Sequence, residues 1–245
     1  MLKNEIFKNK KYLFSILAII LIFVIAVIMN IFYKSKKTSA PLTDINLPDA
    51  QVQSYAADKT PEIKGDDKIF GFSGAPLKIF VYEDYTNAFS AALADTLDKI
   101  KAESGDKVAI ITRPYLVNNS AMATEAAAAV DCAGQAGKWK EMRALLFIRA
   151  KNKQVKTADF NSYAKQLGLN ENDFQICLTN EKKSGRIEQA MTEAENYTVT
   201  GAPTMFIGPE MILGARPYAD FVDSNGDKIE GLKTVVDEKL KNLSI

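Results

Sequence analysis

Between Leu77 and Thr112 the chain runs through a strand, a helix and a second strand with little room for anything else. Leu77–Tyr82 (LKIFVY) is a short β-rich run, bounded by Ala75-Pro76 and an acidic turn, and reads as a strand buried on both faces. From Ala88 to Lys101 the apolar residues Phe89, Leu93, Leu97 and Ile100 recur at helical spacing, with Gly105 beyond them as a stop. Val108–Thr112 (VAIIT) is a second buried strand, closed by Arg113-Pro114. A helix between two such strands predicts parallel neighbours joined by a right-handed crossover. That unit restricts the folded part of the chain to α/β architectures.

The pattern then changes twice. Ala121–Ala133, Lys138–Ala150, Ala158–Leu167, Glu171–Leu178 and Lys182–Asn196 all carry helical periodicity. Thr204–Ile207 and Met211–Leu213 are strands with a hairpin signal, Gly208-Pro209-Glu210, between them. Gly231–Leu243 closes the chain with an amphipathic helix on Leu232, Val235, Val236, Leu240 and Leu243. The order β-α-β, helical block, β-β-α predicts a mixed sheet covered by helices on both faces, with a helical subdomain inserted at about 118–197.

Ahead of this domain, expected over residues 67–245, lies a different kind of sequence. Leu13–Tyr33 (LFSILAIILIFVIAVIMNIFY) is interrupted only by Ser15 and Asn30 as clearly polar residues. About 20 helical residues cross a ~30 Å hydrocarbon core, so the run predicts one transmembrane helix. A cleaved signal peptide has a shorter apolar region, about 7–15 residues. Here, moreover, the best small-residue site, Thr38-Ser39-Ala40, is followed by Pro41. Residues 1–12 form a short N-terminus expected in the cytoplasm. Four lysines precede the span and three follow it, so the charge rule barely favours that orientation. Residues 34–66 are polar, hold three prolines and read as a flexible tether.

Composition removes whole classes of chemistry. The 245 residues include two cysteines and no histidine. Histidine-dependent nucleophiles, histidine-ligated zinc and histidine-ligated haem are therefore excluded, as is a four-cysteine zinc site. The net charge of +1 conceals a basic N-terminus followed by a mildly acidic body. Such a body is ill suited to nucleic acid, which needs a basic face. No cofactor or metal is expected. Asp223-Ser224-Asn225-Gly226-Asp227 lacks the glycine and glutamate spacing of a calcium loop and reads as a surface turn. The adjacent acids Glu83 and Asp84 read as a solvated turn, and Trp139 with Met142, Leu145 and Leu146 as a core face.

Several stretches match one known family in order: Gly74-Ala75-Pro76, Glu83-Asp84-Tyr85, Ala129-Val130-Asp131-Cys132-Ala133 with Gly137-Lys138-Trp139, Gly168-Leu169 with Phe174-Gln175-Ile176-Cys177-Leu178, Gly201-Ala202-Pro203-Thr204, and Gly214-Ala215-Arg216-Pro217-Tyr218. With the element order, they make the domain resemble the DsbA-like branch of the thioredoxin fold. The resemblance implies a cis peptide bond at Pro203 and thiol–disulfide chemistry in a cell-envelope compartment. The membrane, through the single span, and an extended peptide or envelope protein are the partners it leads one to expect. A peptide-binding surface would involve Ala202, Pro203 and Phe89.

The departure from that family lies where its chemistry resides. The resemblance puts a Cys-x-x-Cys at the start of the first helix, where the helix N-terminus lowers the pKa of the first thiol. This chain has Asn87-Ala88-Phe89-Ser90 there. An amide is no nucleophile, Ser90 has no histidine to activate it, and Asn87 reads as the helix N-cap. A buried acid that many members carry on the first strand aligns with Val81.

Cys132 and Cys177 fall on two helices of the insert, and three readings stand for them: a structural disulfide, two buried thiols, or a displaced redox pair. The expectation is a membrane-anchored, extracytoplasmic, redox-inactive binding or structural module. The alternative is an oxidoreductase working through Cys132 and Cys177 or through partner thiols.

Overall fold

The computed structural model describes residues 52–118 and 120–243. The expected span at Leu13–Tyr33 and the tether up to residue 51 lie outside the described residues. Among those described, no helix is long and apolar enough to cross a membrane.

In chain order the elements are β1 (Gln53–Ala56), β2 (Lys68–Phe70), β3 (Leu77–Glu83), α1 (Ala88–Ser104) and β4 (Val108–Pro114). The insert follows as α2 (Ala121–Gln135), α3 (Trp139–Lys151), α4 (Phe160–Gln166), α5 (Glu171–Lys183) and α6 (Arg186–Asn196). β5 (Thr204–Ile207), β6 (Glu210–Leu213), the small pair β7 (Phe221–Val222) and β8 (Lys228–Ile229), and α7 (Leu232–Asn242) complete the domain.

Six strands form one mixed sheet in the order β1-β6-β5-β3-β4-β2. β3 and β4 are parallel, with Leu77 opposite Val108, as the connecting helix requires. β5 runs antiparallel to β3 and to β6. Along β3 the side chains alternate, so Leu77, Ile79 and Val81 pack with Leu93, Leu97 and Ile100 of α1 and with Leu232, Val235 and Val236 of α7. Phe80 and Tyr82 face the other way and pack with Ile111, Phe206 and Ala194 of α6. Two opposite buried faces explain why these strands read as continuous apolar runs. The insert has its own core around Ala126–Val130, Met142, Leu146, Phe160 and Leu178. Ala91 and Ala94 of α1 enter that core, so α1 serves both layers.

The structure differs from the sequence reading in two places, the start of the folded body and one helix break, and agrees with it on the Asp223–Asp227 turn. Gln53–Ala56, inside the stretch expected to be tether, is an edge strand paired with β6, and Lys68–Phe70 adds the opposite edge on β4. The folded body therefore starts before residue 67. All four residues of β1 are exposed, so the strand carries no apolar alternation to reveal it. The break between the last two insert helices falls at Ser184-Gly185 rather than near 180, because Gly185 takes a left-handed φ of 72°. The Asp223–Asp227 segment is the β7–β8 turn, with the Asp223 carboxylate accepting from the N–H groups of Asn225 and Asp227.

Cys132 and Cys177 are joined in a disulfide between α2 and α5, with Cα atoms 5.8 Å apart. The bridge closes a loop over a separation of 45 positions in the insert, far from the start of α1 in sequence. By the loop-entropy relation such a closure contributes about 4 kcal/mol. Replacing both cysteines by serine is expected to lower unfolding stability by roughly that amount, read by urea denaturation. A loss below about 1 kcal/mol would show that the insert does not depend on the bridge.

Candidate functional site

β3 and β5 pair with Tyr82 opposite Thr204. The turn that leaves β3 at Glu83 and the loop that enters β5 at Pro203 therefore emerge side by side at one end of the sheet. The Ala202–Pro203 bond is cis. Its loop is tied to its neighbours by the Pro203 carbonyl, which accepts from Gly214 N–H at 2.9 Å, and by the Thr204 hydroxyl, which donates to the Gly201 carbonyl at 2.7 Å. The structure thus brings the expected helix-start residues and the proline loop to adjacent strand ends. Phe89 and Ala202 nevertheless pack on opposite faces of the sheet, Phe89 toward α1 and α7 and Ala202 toward α6.

Asn87 caps α1. Its backbone is extended (φ −95°, ψ 128°), and its side-chain oxygen accepts from the N–H groups of Phe89 at 2.7 Å and Ser90 at 3.1 Å. These are donors that a helix start leaves unpaired. Ser90 is 1% exposed, and its hydroxyl oxygen accepts from Asp84 N–H at 3.2 Å. Both side chains at the two positions thus hold backbone in place. The first turn of α1 has no acidic side chain.

The acids before the helix are not a solvated turn. Glu83 and Asp84 are both buried. Glu83 forms a two-pronged pair with Arg143 of α3, both contacts at 2.7 Å, which pins the insert to the end of β3. Burial opposes the Arg143 charge, and the Glu83 carboxylate overrides it, leaving the guanidinium above its ordinary pKa. The Asp84 carboxylate accepts from the Thr86 N–H and hydroxyl and from Val117 N–H at 3.0 Å. It thereby ties the segment after β4 to the turn. Val81 is in the apolar core, and the buried acid of this strand stands two residues further along on the same face. Reading those acids as solvated failed because Arg143, the partner that makes burial affordable, is 60 positions away. Tyr85, next in the turn, is buried with its hydroxyl unpartnered among the described residues, and burial, reinforced by Glu83, raises its pKa well above 10.

A cavity of about 530 Å³ lies elsewhere, at the β2 side of the sheet, lined by Lys68, Thr112, Arg113, Asp131, Trp139 and Glu193 among others. Its main charges already neutralise one another. Arg113 grips Asp67 through two bonds of 2.8 Å and meets Glu193 at 3.1 Å, and Lys68 pairs with Asp131. Trp139, half-buried, stacks edge-on against Phe70 at 4.6 Å.

A family model described as thioredoxin matches residues 64–224. The fold is similar to that of solved structures with low sequence identity. Wolbachia pipientis alpha-DsbA1 is 18% identical at a TM-score of 0.57, over 74% of this chain and 94% of that one. Oxidised BdbD from Bacillus subtilis is 15% identical at 0.59, over 71% and 93%. The Na(+)/H(+) antiporter NhaA 3 of Salinispora tropica is 26% identical over 141 residues, or 58% of this chain. The chain spans only about a fifth to a quarter of the length of the curated relatives it matches. The family match runs over the parallel β3–α1–β4 unit, the all-helical insert and the β5–β6 hairpin behind the cis proline, and the chain belongs to the thioredoxin family, with a fold similar to that of the DsbA-like structures.

Proposed function

We propose that this protein is a membrane-tethered thioredoxin-fold module of the cell envelope that binds an extended polypeptide at its cis-proline face and performs no thiol–disulfide exchange. The supporting observation is the start of α1. Asn87 and Ser90 stand where the resemblance requires cysteines, and each holds backbone N–H groups instead of a reactive atom. A hydroxyl needs a neighbouring base to attack, and Ser90 is buried in a chain without histidine, its oxygen accepting from a backbone N–H. The two cysteines present bridge helices of the insert. Backbone groups of a cis-proline loop at a sheet end suit an extended chain that pairs like an added strand. The tether reading rests on the apolar run Leu13–Tyr33 and its flanking lysines. A structural disulfide accords with an oxidising compartment.

The second reading is exchange through Cys132–Cys177, and the half-buried position of Cys177 is what favours it. Insulin reduction and peptide oxidation by the full chain in detergent separate the two. We expect no turnover above a Cys132→Ser, Cys177→Ser variant shown to be folded by circular dichroism. Turnover present in the unaltered chain and lost in that folded variant overturns the proposal. For the binding half, a photo-crosslinker at Ala202 should capture a polypeptide in membranes, and one at exposed Lys99 of α1 should not. Equal capture at both positions counts against a specific face.

A further inference from the structure

Arg216, three residues beyond β6, is buried at 6% exposure. Among the described residues its Nε has no hydrogen-bond partner, and its Nη2 donates to the Ser54 hydroxyl at 2.9 Å. Among the described residues no carboxylate forms an ion pair with it. Glu210 and Glu230 reach it only through their fields, and Glu210 is bonded to Lys239 at 2.9 Å. Burial dominates, so the guanidinium is held below its ordinary pKa. A buried cation without a matching anion is costly, and an unpaired guanidinium nitrogen in a native fold calls for a partner.

The other end of that hydrogen bond is at the surface. Ser54 belongs to β1, which is exposed along its whole length and forms the edge of the sheet. Ala57 N–H donates to the Pro209 carbonyl at 2.7 Å, and the register pairs Tyr55 with Met211 and Gln53 with Leu213. In an antiparallel ladder, residues alternate between turning both backbone polar groups toward the partner strand and turning both away. Residues 53, 55 and 57 face β6, so Ser54 and Ala56 turn their N–H and C=O outward. One outward-facing backbone pair thus stands beside a hydroxyl that leads straight to a guanidinium lacking its anion.

We propose that the edge of β1, unpaired among the described residues, is a second interaction surface, which takes an extended segment of a partner protein carrying one acid as an added antiparallel strand. The partner residue opposite Ser54 exchanges both main-chain hydrogen bonds with it, at a Cα separation of about 5.5 Å. Its side chain projects to the same face as Ser54, and an aspartate or glutamate there reaches Arg216 Nη2 and the serine hydroxyl. The residues on either side of that acid lie on the face of Tyr55, whose ring is 44% exposed, so they are apolar or β-branched. Main-chain bonds supply the attachment and the single acid supplies the selectivity. This surface lies along the sheet edge, two strands across from β5, which the cis proline precedes.

The test uses the full chain, ¹⁵N-labelled in detergent micelles, titrated with two blocked five-residue peptides. One reads threonine-valine-glutamate-valine-threonine, and the other replaces glutamate with glutamine. The glutamate peptide is expected to bind at least tenfold more tightly, with shifts centred on the Ser54 and Ala56 amides and the Arg216 Nε–H. The tenfold preference should vanish in Arg216→Gln, and N-methylation of the glutamate should abolish binding. Equal binding of the two peptides, or no binding at millimolar concentration, overturns the inference without involving any variant. Shifts mapping to residues 87–90 and 202–203 instead also overturn it, while supporting the peptide-binding face proposed above.

Discussion

Asn87→Cys combined with Ser90→Cys is expected to turn an inert helix start into a working dithiol, raising insulin reduction from background to readily measured turnover. Position 87 already has the geometry a reactive thiol needs. Its side-chain acceptor faces the Phe89 and Ser90 N–H groups at 2.7 and 3.1 Å, at the positive end of a 17-residue helix with no acid in its first turn. A thiolate in that place is stabilised by the same donors, so its pKa should fall below the ordinary ~8.5, within the roughly 3.5–7.5 range of helix-start thiols. A cysteine at position 90 would be buried, as a resolving thiol shielded until the mixed disulfide forms. Ser90→Cys alone should therefore remain unreactive, and Asn87→Cys alone should be alkylated rapidly but not turn over. The pH dependence of iodoacetamide alkylation checks the first step and insulin reduction the second. An unperturbed thiol pKa in the double variant would mean that the cap geometry does not activate a thiol.

Arg143→Met should cost about 3–5 kcal/mol of unfolding stability, because it strands the Glu83 carboxylate in the core rather than merely removing a contact. Glu83 is 1% exposed, and among the described residues its two oxygens are held at 2.7 Å by that guanidinium alone. Methionine keeps much of the aliphatic stem but loses the guanidinium carbon that lies 5.0 and 4.7 Å from the centres of the Phe70 and Phe147 rings, so the pH dependence is what separates charge from packing. In the variant the carboxyl is desolvated without compensation and its folded-state pKa rises above the unfolded value of about 4.3. A raised folded pKa means that the variant's stability is fully retained below that unfolded value and is lost as pH rises toward the folded one. The deficit against the unaltered protein should accordingly be smallest near pH 4 and grow toward neutrality. Adding Glu83→Gln should recover a large part of it at pH 7. Urea denaturation at the two pH values decides the matter, and a deficit that does not change with pH would assign the loss to packing.

Much of the candidate site was legible in the residues. Asn87 is a strong N-cap residue just before an apolar helical period, and the structure places its oxygen on the donors such a residue serves. The proline before the third predicted strand announced a fixed turn, and the absence of histidine limited what Ser90 could do. The burial of Glu83 and Asp84 was not legible. Two adjacent acids after a strand are ordinarily hydrated, and the features that reverse this, Arg143 and the Val117 N–H, enter from α3 and from the segment after β4. The surface at Arg216 was hidden for the same reason, since Ser54, to which its side chain is bonded, lies 162 positions earlier.

Everything that repeats over a few residues can be read from the chain alone. The β3–α1–β4 unit, the helical insert, the β5–β6 hairpin and the final helix follow from apolar periods of two and 3.6, and the missing Cys-x-x-Cys follows from plain reading. Which distant groups meet is set by the packing of the whole domain. It enlisted Gln53–Ala56 as an edge strand despite its polar sequence, because β6 offered unpaired backbone groups. It joined Cys132 to Cys177, and it neutralised Glu83 while leaving Arg216 without an acid among the described residues. Local periodicity is set by the geometry of one element, whereas pairing and neutralisation depend on which elements the fold stacks together, a relation no short stretch of chain encodes.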